Sequence, residues 1–238
     1  MKKNLLTVLV CLLFFVTTAS AAELRVASGA GYKRVIEQWA KLYEKSSGNK
    51  IERMYGNMGQ VMAQVQHGGG ICVVVGDKSY LTEHELAASK YTPVGVGRPV
   101  LVSRKGLKLA SLEDLKKKEF ARISAPDFEK AIFGKAAKQI LDSFGYKDIL
   151  DKTIQAGTVP RSGAYAIKGE VDAAFINMTY ALANRDKFGS MLELTQGFSA
   201  IEIAAGVLDG CEGEQAVKHF IALLKTDVMA KKIAAAGL

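Results

Sequence analysis

Proline, cysteine and histidine are all scarce in this chain: its 238 residues hold 4, 3 and 3 of them. So little proline, with no Pro/Ser-rich stretch, excludes a collagen-like chain and any extended linker between modules. Three cysteines and three histidines are too few for a disulfide-dense mini-protein or a clustered zinc scaffold. Charge of neither sign dominates, with 32 Lys and Arg against 24 Asp and Glu and a net charge of +8. The basic residues are scattered, with Lys116-Lys117-Lys118 as the one run on an expected helix surface, so nucleic acid is not the expected partner. Past residue 21, nothing approaches the roughly 20 apolar residues that a membrane-crossing helix needs. What is present, a hydrophobic fraction of 49% and 23 glycines, is the composition of a soluble globular protein of one or two domains.

The N-terminus reads differently. Lys2 and Lys3 precede an apolar stretch, Leu5 to Val16, interrupted by Thr7 alone, and Ala19-Ser20-Ala21 is an A-x-A cleavage site. Residues 1–21 therefore read as a cleavable signal peptide. Cys11 lies in the middle of the apolar run, which argues against lipid attachment there. Removing Lys2 and Lys3 lowers the surplus from +8 to +6, and the mature chain is expected in the periplasm. That oxidising compartment permits a disulfide between the remaining cysteines, Cys72 and Cys211. A bridge over so long a loop adds roughly 4–5 kcal/mol by chain-entropy reasoning. The alternative is a small buried hydrophobe at Cys72 and an exposed thiol at Cys211, and the sequence leaves both open.

Along the mature chain, apolar strands alternate with amphipathic helices. Leu24 to Ala27 reads as a strand, and Tyr32, Val35, Ile36, Trp39, Ala40 and Tyr43 form one helix face that ends at Gly48. Further strands are expected at Ile51 to Tyr55, Ile71 to Val75, Val100 to Ser103, Ile123 to Ala125, Val171 to Ile176 and Ile201 to Leu208. Between and after them fall helices at Val61 to Gln66, near Leu81 to Ser89, at Ser111 to Lys118, around Ala137 to Phe144 and from Val217 onward. The alternation argues for an α/β fold with mainly parallel sheets. Texture changes at Tyr91 to Pro99 and Glu193 to Ser199 divide the chain into two lobes. Lobe 1 is then residues 22–96 plus 197–238 and lobe 2 is residues 97–196, with a ligand cleft between them.

Enzyme signatures fail one at a time. Gly29-Ala30-Gly31 follows a strand and opens a helix as in a dinucleotide fold, but Arg34 stands where the third glycine belongs. Asp77 breaks the spacing of a P-loop end at Gly76-Asp77-Lys78-Ser79, and Ala88 replaces the second histidine of a zinc-protease motif begun by His84-Glu85. No G-x-S-x-G elbow occurs, so neither an enzyme nor a cofactor is expected. A different pattern is better supported. Loops run straight into helix starts at 28–31, 56–59, 133–134 and 159–162, and helix N-termini present free N–H groups and the positive dipole end. Converging on one cleft, they would form an anion site.

With these features the chain resembles the periplasmic molybdate-binding proteins of ABC importers, within the type II solute-binding fold. The stretches that carry the resemblance are Leu24 to Gly48, Val100 to Gly106, Ser111 to Leu115, Gly134 to Lys138, Lys168 to Ala174 and the final helix pair. The resemblance implies a monomer that captures molybdate, or another tetrahedral oxyanion such as tungstate or sulfate, and delivers it to a membrane permease. Molybdenum would arrive as an oxyanion, with no separate metal ligands. The family's first-turn serine falls at Gly31, with Ser28 as a stand-in, its second at Met58 beside Asn57, and its tyrosine at Asn177. Phe133 and Val159 would supply backbone N–H donors. Among the altered residues, Asn57 and Asn177 offer amide donors, Tyr32 a hydroxyl, and Arg161 a bidentate cation with Ser162 beside it. A secreted sensory module or enzyme that holds a small organic acid in the same cleft is the competing expectation.

Overall fold

The computed structural model describes residues 24–238, and the signal peptide expected over residues 1–21 lies outside the described residues. Strand β1 (Leu24–Gly29) passes through a single 3-10 turn into helix α1 (Lys33–Ser47). Val35, Ile36, Trp39, Ala40 and Tyr43 are the buried face of α1, as their spacing requires, and Gly48 at φ 74° ends it. Next come β2 (Ile51–Gly56), α2 (Met58–Gln66), β3 (Val73–Asp77), α3 (Lys78–Glu83) and β4 (Ala88–Val96). The chain continues through β5 (Pro99–Arg104), β6 (Ile123–Ala125), α4 (Ile132–Ser143), α5 (Lys147–Lys152) and β7 (Ile154–Gln155). Helix α6 (Val159–Lys168), β8 (Ala173–Asn177), α7 (Met178–Ala183) and β9 (Phe188–Glu193) follow. Strand β10 (Glu202–Leu208) and helices α8 (Gln215–Leu223) and α9 (Asp227–Ala235) come last. Among the described residues, no helix is long and apolar enough to cross a membrane.

The strands form two five-stranded sheets, ordered β2-β1-β3-β10-β4 and β7-β6-β8-β5-β9. Each sheet with its helices is one lobe of an α/β fold. The expectation of mainly parallel sheets is corrected here, because both sheets are mixed. The strands β2-β1-β3 and β7-β6-β8 are parallel, whereas β10 and β5 pair antiparallel with both of their neighbours. The cause is the chain path. Strands β4, β5, β9 and β10 carry the chain between sheets, and a strand that returns from the other lobe enters against the direction of its neighbours. The helix expected near Leu81 to Ser89 is likewise replaced by the short α3 and the start of β4. As an edge strand, β4 tolerates Pro93, which has no N–H to offer, and a bulge beside it shifts the pairing with Ala204. The helix expected from Ser111 to Lys118 is a pair of 3-10 turns, Leu112–Lys116 and Lys118–Phe120.

The two crossings are tied to each other. Arg98 donates two hydrogen bonds to the Glu193 carboxylate, the Leu194 N–H donates to the Pro99 carbonyl, and the Gly97 N–H donates to the Ile201 carbonyl at 2.8 Å. Each lobe also has a buried nucleus. In the first, the Trp39 indole stacks on Phe220 at 3.9 Å between centroids and donates to the Phe220 carbonyl at 2.7 Å. In the second, Leu101, Phe120, Ile140 and Phe175 pack together with 2% exposure or less. Cys72 and Cys211 are joined by a disulfide with Cα atoms 5.6 Å apart, across a sequence separation of 139. It tethers the loop after β10 to the start of β3.

Candidate functional site

Four turns, at residues 29–32, 56–58, 131–133 and 158–159, enclose a cavity of ≈ 20 Å³ between the two sheets. A single water needs about 10–15 Å³ on this scale. As it stands the cleft has room for little more than one water-sized group.

Each turn is the start of a helix. The 3-10 turn Ala30–Tyr32 leads α1, while α2 starts at Met58, α4 at Ile132 and α6 at Val159. The first N–H groups of a helix have no acceptor within it, and its N-terminus carries the positive end of the dipole. Two helix starts come from each lobe, so the cavity is ringed by partial positive charge that needs no ionised side chain. None of the lining residues is Asp, Glu, Lys, Arg or His. Close packing holds the α4 start in place: a Cβ on Gly134 would collide with the Asp127 carbonyl, so a larger residue there would push α4 away.

Two of the polar side chains at the wall, Asn57 and Thr158, are occupied in building it. Asn57 Oδ1 accepts from the Gln60 N–H at 2.9 Å, and Gln60 Oε1 accepts from the Asn57 N–H at 2.9 Å, a reciprocal cap on α2. Thr158 Oγ1 accepts from the Arg161 N–H at 3.4 Å and caps α6. The Tyr32 hydroxyl is buried and has no hydrogen-bond partner among the described residues. Burial, with the Asp77 carboxylate nearby, pushes it well above the usual tyrosine range, so it stays neutral.

The expected residues separate into two groups. Gly31, Asn57, Met58, Phe133 and Val159 come together at the cavity. Met58 contributes only its backbone, because its side chain is 1% exposed and its sulfur packs between Gly29 and Gly76. Ser28, Arg161 and Asn177 are not at the wall. Ser28 is fully buried behind the first turn, where its hydroxyl donates to the Gly29 carbonyl. Arg161 turns outward, with Nε donating to the Tyr165 hydroxyl at 3.0 Å. The buried Asn177 caps α7 by accepting from the Tyr180 N–H at 3.0 Å, and its Nδ2 donates to the Gly31 carbonyl at 3.1 Å. A Cβ on Gly31 would lie 2.8 Å from that Nδ2 and 3.3 Å from the Val159 Cβ, so Gly31 and Asn177 fit as a pair across the cleft. Thr158 was not anticipated, although a threonine two residues before Pro160 is a legible helix-start signal.

Other bonds also cross the cleft. The Gly59 N–H donates to the Lys130 carbonyl at 3.1 Å, Asn57 Nδ2 donates to the Gly157 carbonyl at 3.4 Å, and Lys135 pairs with Glu83 at 3.1 Å.

Comparison with known proteins agrees with this architecture. A family model described as "Bacterial extracellular solute-binding protein" matches residues 24–238. A Haemophilus influenzae protein, described only as a binding protein, is 28% identical over 198 residues, covering 80% of each chain. The molybdate-binding protein ModA of Azotobacter vinelandii is 26% identical over 172 residues, which is 68% of this chain and 67% of that one. The solved periplasmic molybdate-binding protein of the same organism superposes with a TM-score of 0.80 at 22% identity, over 90% of this chain and 97% of that one.

Proposed function

The chain belongs to the bacterial extracellular solute-binding protein family, and from that premise we propose that it is the periplasmic substrate-binding component of an ABC importer for a small oxyanion. The observation that carries this reading is the ring of four helix starts around an uncharged cavity of ≈ 20 Å³. Such a ring suits a compact anion of high charge, held by backbone N–H groups and helix dipoles. Export would follow cleavage after residue 21, and the mature monomer would deliver its ligand to a membrane permease. The proposed hinge joins lobe 1, residues 22–96 plus 197–238, to lobe 2, residues 97–196, at the two crossings pinned by Arg98 and Glu193.

The wall also suggests which oxyanion. Apart from the Tyr32 hydroxyl, which has no partner among the described residues, its free groups are N–H donors, while the acceptors of Asn57 and Thr158 are already used as caps. A fully ionised oxyanion such as molybdate, tungstate or sulfate satisfies donors alone. Phosphate near neutral pH carries a hydroxyl whose proton needs an acceptor, and burying it unpaired costs about 1–3 kcal/mol. Phe133 and Val159 give backbone N–H groups and Asn57 shapes its turn, while Asn177 acts as a latch, holding the lobes together through the Gly31 carbonyl. Thermal-shift and calorimetric titrations with molybdate, tungstate, sulfate, phosphate and small organic acids test the proposal. Saturable binding of the first three with phosphate at least tenfold weaker supports it, and preference for an organic acid or no binding at all overturns it.

A further inference from the structure

A second concavity of the first lobe lies away from the cleft, between the end of β10 and the outer face of α8. It is an open groove of ≈ 380 Å³, within the roughly 300–1,000 Å³ span of small-molecule pockets. Its floor is apolar: Val207 and Val217 are buried, and Ile221 is half-buried. The helical spacing of Lys218, Ile221, Ala222 and Lys225 puts them on one face toward the groove. Lys90, the cross-strand partner of Val207, stands on the opposite side.

These three lysines form no ion pair among the described residues, whereas twelve such pairs occur elsewhere in them. Glu212 also borders the groove, and backbone N–H groups of its own loop hold its carboxyl below the usual carboxylate range. The loop that carries it is fixed by the Cys72–Cys211 disulfide. A preformed apolar trough with three unpaired cations and one engaged carboxylate at its rim complements a molecule with an apolar body and an anionic head.

We propose that this groove is a second binding site, for a small anionic amphiphile bearing a carboxylate or sulfonate. Its size separates a small molecule from a protein partner, since a stable protein interface uses about 20–30 residues a side and this groove is far smaller. The proposal does not depend on what the cleft binds.

Calorimetric titration of the whole protein with decanoate, and with decanol as the uncharged control, tests it. The expected result is saturable one-to-one uptake of decanoate, at least tenfold tighter than decanol. The paired charge reversal Lys218→Glu and Lys225→Glu should weaken decanoate at least tenfold with an unchanged melting temperature. Ala222→Trp, which fills the groove and keeps every lysine, should also abolish uptake. Oxyanion binding in the cleft should be untouched by either variant. Absence of saturable uptake, uptake indifferent to charge reversal, or binding of an acidic helical peptide in place of decanoate would each overturn the proposal.

Discussion

The cleft cavity, walled by both lobes, and the outer groove, walled by the first alone, are both concave, yet they would meet negative charge by opposite means. In the cleft, positive potential comes from the ends of four helices, and its polar side chains Asn57 and Thr158 are spent on caps. In the groove, it comes from Lys90, Lys218 and Lys225, exposed to solvent around an apolar floor. Fixed backbone dipoles in a closed space lose little to solvent and need no reorganisation when an anion arrives. Flexible lysines in water are screened by salt and impose little geometry. The cleft should therefore discriminate among anions by shape and protonation, and the groove by apolar bulk and charge alone.

The sharpest way to break this contrast is to delete one N–H from the cleft. Val159 is the first residue of α6, and Thr158 before it has φ −132° and ψ 158°, the extended conformation that a following proline favours. Val159→Pro should keep the helix and remove a donor. Hydrogen bonds to charged groups contribute about 1.5–3 kcal/mol, so oxyanion affinity should fall about 10- to 100-fold while decanoate binding is unchanged. Val159→Ile, which keeps the N–H, should bind nearly as the wild type does. Equal losses in the two variants would mean that packing, and not the backbone donor, matters at this position.

Asn177→Ser comes next. The hydroxyl can still cap α7 but is too short to donate to the Gly31 carbonyl. The lost bond is of the order of 0.5–1.5 kcal/mol, so affinity should fall about twofold to tenfold, mostly through faster ligand release in stopped-flow measurements. Unchanged release would overturn the latch. Ionic strength gives a smaller separation. Raising salt from about 0.02 to 0.3 M shortens the screening length from about 20 Å to below 10 Å. Decanoate binding in the groove should weaken severalfold, whereas cleft affinity should change by less than twofold.

The fold was legible in the sequence where a pattern was local. The α1 face, its Gly48 stop and the apolar β3 follow from periodicity. Strand direction was not legible, because β4, β5, β9 and β10 take their orientation from a chain path through both lobes and not from their own residues. The cleft was half legible. Helix starts announce themselves, so the loops at 28–31, 56–59, 133–134 and 159–162 are legible from local signals, while Gly31, Phe133 and Val159 are singled out within them by the resemblance to molybdate-binding proteins. The roles of Met58 and Asn177 depended on long-range neighbours: the space beside Gly76 that admits the Met58 sulfur, and the Gly31 carbonyl that accepts from Asn177. The pairing of Cys72 with Cys211 had the same character, since proximity across 139 residues is a property of the fold.

Arg161 carries the smallest expected effect and separates the two modes of anion attraction most directly. By residue type it is the strongest anion ligand in any of the four turns, and a guanidinium reaching the cavity would make the cleft a charged site like the groove. Its side chain instead points along α6 to the Tyr165 hydroxyl, while its backbone N–H completes the Thr158 cap. Arg161→Ala keeps that N–H and removes only an exposed charge. Oxyanion affinity should change by less than twofold, with at most a modest, salt-sensitive drop in association rate from weaker steering. A tenfold loss of affinity that persists in high salt would mean that the guanidinium swings into the cavity once an anion is bound. The cleft would then recognise its ligand as the groove does, through an ionised side chain, and the backbone-only reading of its specificity would fall.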